Sequence, residues 1–167
     1  MLFQIRSYLQ FLWNSKNEHA VHSPFVFLLV TKCFYGKTEL KPYFSDFQIK
    51  KKKEKLFNRV CHYFEFKEGL NFLENKPKNA SSVFKVDFVF IDVTYFNTNT
   101  LALDAILDKT NNDTCFIFDG IYNSSTNNSL WKTIIQNSTF TVTIDTFIYG
   151  FAFIRKEQEK EHFVIRV

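Results

Sequence analysis

Apolar positions along the chain change their period twice. Ile5, Tyr8, Leu9, Leu12 and Trp13 recur at helical spacing, which predicts a helix over the segment MLFQIRSYLQFLW with these residues on one face. Asn14 to His22 is polar and turn-like. Ser23-Pro24 reads as an N-cap followed by proline at the first helical position, where its missing N–H costs nothing. A helix over Phe25 to Phe34 follows, with Gly36 as its stop. A third helix is predicted from Asp46 to about Phe64. Leu56, Phe57, Val60, Cys61 and Phe64 line its apolar face, and Lys50 to Lys53 lie near its start.

After Lys67 the pattern turns to strands. Gly69 to Glu74 is a short apolar run. Val86 to Asp92 is nearly continuous in apolar residues, as in a strand covered on both faces, and ends in an acid. A helix from about Asn99 to Leu107 presents Leu103, Ile106 and Leu107, and Thr114 to Asp119 is a second strand ending in an acid. A helix around Ser129 to Gln136 carries Leu130, Trp131, Ile134 and Ile135. Phe140 to Ile144 alternates, a turn lies near Phe147 to Gly150, and Phe151 to Ile154 returns as an antiparallel partner. His162 to Val167 adds a final extended segment. The order predicts a mostly parallel α/β sheet with an antiparallel edge. Residues 1–66 form an N-terminal helical cap region and 67–167 an α/β region, in one compact domain.

Composition narrows the function. A chain of 167 residues, 46% hydrophobic and 23% charged, fits one globular domain and not a disordered segment. No stretch approaches the roughly 20 apolar residues of a membrane span. Gln4, Arg6 and Gln10 interrupt the first apolar pattern and no small-residue cleavage site follows, so the segment does not read as a signal peptide. Cys33, Cys61 and Cys115 are widely spaced without a CxxC pair, which fits buried thiols in a reducing cytoplasm. A net charge of +4 is small, and Lys50 to Lys53 reads as a solvated helix face, so no specific nucleic-acid site is expected. His19-x-x-His22 has a spacing that could hold a metal on a helix, but it lies in a polar segment before a cap, and no metal site is assigned.

In open α/β sheets, ligands bind beyond the carboxyl ends of the strands. Asp92 and Asp119 sit at two such ends, on strands expected to be neighbours. Paired carboxylates there could hold a metal, orient a hydroxyl or act as a base. The plainer alternative is that each caps the loop that follows its strand.

At both ends the chain resembles a known family. Phe11 to Asn17, His22 to Phe27 and Thr31 to Tyr35 are similar to the leader of class I S-adenosylmethionine-dependent methyltransferases of a Bacteroidetes type, related in layout to small O-methyltransferases. Thr141 to Phe147 and Arg155 to Phe163 are similar to that family's hairpin and tail. Val86 to Asp92 resembles its fourth strand and Phe116 to Asp119 its fifth, and the likeness covers roughly 110–120 residues, close to one domain. The resemblance implies a truncated Rossmann-like methyltransferase sheet, with parallel strands, a C-terminal antiparallel hairpin and an N-terminal helical cap. It also implies S-adenosylmethionine as cofactor, held by Glu74 and Asp92, and a small-molecule methyl acceptor. Asp92 and Asp119 would orient or deprotonate that acceptor, and His22 would contribute from the cap.

Several positions depart from the family. Leu73-Glu74 resembles the start of its glycine-rich cofactor loop, but Asn75-Lys76-Pro77-Lys78 follows with no glycine. Glycine there lets the backbone approach the cofactor, and proline removes an N–H donor. Asn75 to Lys85 leaves no room for the family's next two strand–helix units, which supply the acid that holds the cofactor ribose. Val93 and Tyr95 stand at the family's glycine and histidine after Asp92, Gly120 replaces an acid after Asp119, and Tyr122 stands where histidine is common. These departures predict weak or lost cofactor binding. The alternative function is a non-catalytic binding or interaction domain that reuses the scaffold. Without the family's second strand, Gly69 to Glu74 becomes a sheet edge, open to a second copy, a protein partner or the chain's own Ala80 to Phe84 segment.

Overall fold

In the computed structural model, residues 2–17, 21–37, 42, 44, 47, 49–72, 85–94 and 106–167 are described. The apolar runs after residue 67 become strands β1 (Gly69–Phe72), β2 (Phe88–Asp92) and β3 (Cys115–Asp119). The alternating C-terminal runs become β4 (Val142–Asp145), β5 (Tyr149–Phe153) and β6 (Glu161–Val164). All six lie in one sheet, in the order β1-β2-β3-β5-β4-β6. The pairs β1–β2, β2–β3 and β4–β6 are parallel, so β5 alone runs against the others. The fold is thus α/β with a mixed sheet.

The expected hairpin is present, with Val142 opposite Phe153 and Asp145 opposite Gly150. It is not the edge, because the final extended segment has added outside it as β6, parallel to β4. The turn is tighter than the sequence suggests. Thr146 closes it by donating from its backbone N–H and its hydroxyl to the Tyr149 carbonyl at 3.0 and 2.9 Å. Phe147 takes the left-handed conformation there, with φ 66°. At the other end β1 is the last of the described strands, and Leu70, Asn71 and Phe72 are all buried. Ala80 to Phe84 lies outside the described residues.

The sheet has helices on both faces. Phe88, Phe90, Cys115, Ile117, Tyr149, Phe151 and Phe153 point to one side. They meet α2 (Pro24–Leu28), a π-helical continuation Leu29–Phe34, and α3 (Lys51–Phe64). Val89, Ile91, Phe116, Phe118 and Ala152 point to the other side, against Trp131 and Ile134 of α4 (Ser125–Gln136). The two sets alternate along β2 and β3, which is why those strands read as continuous apolar runs.

Local signals explain most helix ends. Ser23 caps α2 by accepting from the Val26 N–H at 3.4 Å, with Pro24 behind it. The Tyr35 N–H reaches the Val30 carbonyl at 3.0 Å, the five-residue step of a π turn, and Arg59 Nη1 donates to the Phe34 carbonyl at 2.9 Å. α3 begins at Lys51, later than the sequence pattern implies; Phe47 and Ile49 pack on the core ahead of it. α4 begins four residues before the expected start, because Ser124 caps it by accepting from the Asn127 N–H at 3.0 Å. Of the helix expected over 99–107, only Ile106 and Leu107 are among the described residues, and both are helical.

α1 (Leu2–Asn14) is a helix as its spacing implies, but it is turned over. Its buried residues are Ser7 and Phe11, while Ile5, Tyr8, Leu9 and Trp13 face solvent. Phe11 and Tyr8 rest on Phe147 with ring centroids 5.3 and 4.9 Å apart. The Lys16 N–H bonds to the Val164 carbonyl at 2.8 Å, fastening the end of α1 to β6. No helix among the described residues is long and apolar enough to cross a membrane.

Candidate functional site at the carboxyl end of the sheet

The parallel register brings the two strand-end acids together. Asp92 and Asp119 are direct partners across β2 and β3, as the sequence pattern implied. By alternation they share the sheet face of Phe90 and Ile117, the face covered by α3. Each is already engaged. Asp92 Oδ1 accepts from the Thr94 N–H at 2.8 Å, the bond that caps a strand-end turn. Asp119 pairs with Lys53, which reaches it from the first turn of α3.

Lys53 is the residue that sequence reasoning placed wrongly. It belongs to the Lys50–Lys53 run expected on a solvated face, and Lys51 and Lys52 are indeed exposed. Lys53 is part-buried, with its ammonium 5.6 Å from the Tyr149 ring centroid. The Tyr149 hydroxyl in turn donates to the Lys53 carbonyl at 3.4 Å. Burial, with the Asp119 charge second, pushes the Tyr149 phenol well above its ordinary range, so it remains a hydrogen-bond donor.

The loops after β2 and β3 are tied to each other. Asn127, buried in α4, donates from Nδ2 to Thr94 Oγ1 and to the Gly120 carbonyl, both at 3.0 Å. Gly120 has φ +80°, and a Cβ there would lie 2.6 Å from Asn123 Nδ2, so the position needs glycine and not the acid expected after Asp119. His22 is exposed just before the Ser23 cap and makes no hydrogen bond or ion pair among the described residues. Glu74, expected to hold a cofactor, lies outside the described residues, as do Tyr95 and His19. No group of three His, Cys, Asp or Glu among the described residues is arranged to hold a metal ion. All three thiols are buried, and burial pushes Cys33 up to about 12, so they act as apolar groups.

A third acid, Asp145, ends β4 on the opposite face. It is buried, with Oδ2 accepting from the Tyr122 hydroxyl at 2.6 Å and Oδ1 from the Phe147 N–H at 2.8 Å. Burial raises its pKa, while Tyr122, Phe147 and the nearby Trp131 indole oppose that rise. The Trp131 Nε1–H is buried and completes no hydrogen bond. Asp145, Tyr122, Trp131, His162 and Gln10 help to line a cavity of about 230 Å³ between α1, α4 and β6. Thr143 Oγ1 lies 2.9 Å from His162 Nδ1, and burial of part of that ring lowers its pKa. The available signal was a third acid-terminated β-run, Val142 to Asp145, hidden because it reads as half of a hairpin.

The two strand-end acids should respond differently to neutralisation. Asp92→Asn keeps the acceptor for Thr94 and is expected to change stability by no more than about 1 kcal/mol. Asp119→Asn leaves the part-buried Lys53 without its counter-charge and should cost about 1–2 kcal/mol, between the values for exposed and buried pairs. Urea unfolding checks both. Stabilisation by Asp119→Asn would mean that repulsion from Asp92 outweighs the Lys53 pair.

No protein-family model, curated protein or solved structure matches this chain.

Proposed function

We propose that this chain is a shortened, methyltransferase-like α/β domain in which S-adenosylmethionine binding is weak or lost, and that it works as a non-catalytic binding domain. The observation that carries the reading is the engagement of Asp119 by Lys53. An acid that must orient or deprotonate a methyl acceptor needs a free carboxylate edge in a site the acceptor can reach. Here a cation from α3 holds Asp119 Oδ1, and Oδ1 of the neighbouring Asp92 holds its own turn.

The strand order supports a truncated Rossmann-like origin. β1 lies directly beside β2 and β3, which resemble the family's fourth and fifth strands, and then comes the hairpin. That is the arrangement left when the family's second and third strands are missing. The glycine-free sequence Glu74-Asn75-Lys76-Pro77-Lys78 supports loss of cofactor affinity.

Thermal-shift titration with S-adenosylmethionine and S-adenosylhomocysteine tests the reading, and no shift is expected at millimolar ligand. A ligand at 100 times its dissociation constant stabilises the fold by about 2.7 kcal/mol. A shift of that order, with methyl transfer lost in Asp119→Asn but the fold intact, would overturn it. That result would favour the second reading, a working methyltransferase, which rests on Asp92 and Asp119 being register partners.

A further inference from the structure

α1 buries Ser7 and Phe11 alone. Ser7 lines the cavity beside Asp145, with the exposed Gln10 and Asn14 at its mouth. The apolar stripe of α1 turns outward, with Leu2 86%, Ile5 54%, Leu9 62% and Trp13 90% exposed. These four recur every three or four residues, so they form one continuous band along the helix. Single exposed apolar residues are ordinary, but a contiguous band on one element marks a contact surface.

We propose that this band joins two copies of the chain, with the two α1 helices packed antiparallel about a two-fold axis. Such an axis demands a self-complementary patch. Antiparallel packing sets the small Leu2 of each copy against the large Trp13 of the other, and Ile5 against Leu9. Arg6 is the only charged residue in α1, so two copies bring almost no like charge together. The area reaches the lower limit. Taking roughly 150–250 Å² for each large side chain, the exposed parts of the four residues and Tyr8 come to at most about 600 Å² per copy. Two copies therefore remove at most roughly 1,200 Å², at the threshold for a specific interface. A lipid surface fits less well. Helices that lie on membranes carry a lysine- and arginine-rich face toward the headgroups, whereas Arg6 is the one basic residue of α1.

The test is sedimentation and light scattering of the full chain from about 1 to 200 μM, with tryptophan emission followed over the same range. The expected result is a shift from 19.9 kDa to twice that mass. Emission should move to the blue in step, because Trp131 is buried throughout and only Trp13 changes its surroundings. Leu9→Glu should weaken association at least tenfold while leaving circular dichroism unchanged. Ile5→Glu provides the same reading should Leu9→Glu fold poorly. A monomer at the highest concentration would overturn the proposal, as would a dimer indifferent to both variants. Blue-shifted Trp13 emission in the dilute monomer would also overturn it, by showing the band covered from within the chain. So would vesicle binding by the monomer that Leu9→Glu abolishes.

Discussion

Trp131→Ala is expected to lower folding stability by about 3–5 kcal/mol, seen as a fall in the urea midpoint with little change in slope. Trp131 is 1% exposed and sits at the centre of the α4 face of the sheet. Its ring meets Phe118 at 5.5 Å between centroids and His162 at 6.4 Å. Truncation forfeits this apolar contact, leaves a cavity and removes the indole that favours the charged form of Asp145. Trp13 supplies the control. It is 90% exposed, so Trp13→Ala should leave the stability of the monomer within about 0.5 kcal/mol. Equal losses at both sites would mean that α4 is not seated on the sheet as described.

The seat of that indole gives the second large effect. Gly150, the second residue of β5, lies under the ring, and a Cβ there would come within 2.8 Å of Trp131 Cζ3 and Cη2. Gly150→Val should therefore destabilise by about 2–3 kcal/mol, the upper part of the range for overpacking. The strand's own preference for valine offsets only part of this. The diagnostic measurement is the double variant with Trp131→Ala. With the ring gone the added methyls enter the space it vacated, so the two losses should fall short of their sum by at least about 1 kcal/mol. Full additivity would place the clash elsewhere.

Parts of this architecture are written locally in the chain. Phe88 to Asp92 and Cys115 to Asp119 are legible because a strand buried on both faces must be apolar at every position until it leaves the core. The start of α2 is legible because Ser23 and Pro24 each carry a stereochemical reason to stand there. The orientation of α1 was not legible. Periodicity finds a stripe but does not say what the stripe meets, and the seat of α1 comes from Phe147, α4 and β6, all far along the sequence. The Lys53–Asp119 pair was hidden for a similar reason: its partners are 66 residues apart, and one lies in a run of four lysines that looks uniformly solvated. The Ser124 cap was missed because residues 125–128 are all polar and show no helical period, although the serine itself was a sufficient signal. The site was thus legible in the acids that sheet register aligns and illegible in the cation that a distant helix delivers.

The attachment of Lys16 to Val164 and Ile165 has a consequence for how the molecule is made. α1 leaves the ribosome well before the strand that fastens it, with Lys16 and Val164 separated by 148 residues. At about 5–20 residues per second, roughly 7–30 s separate the two. Until α4 and Phe147 have emerged the helix has nothing to rest on, and until β6 follows its seat is incomplete. Its docking closes a loop of nearly the whole chain, the most costly contact of its kind in the fold. Among the described helices, α1 is therefore the one that waits longest for the strand that fastens it, open to nascent-chain binding factors.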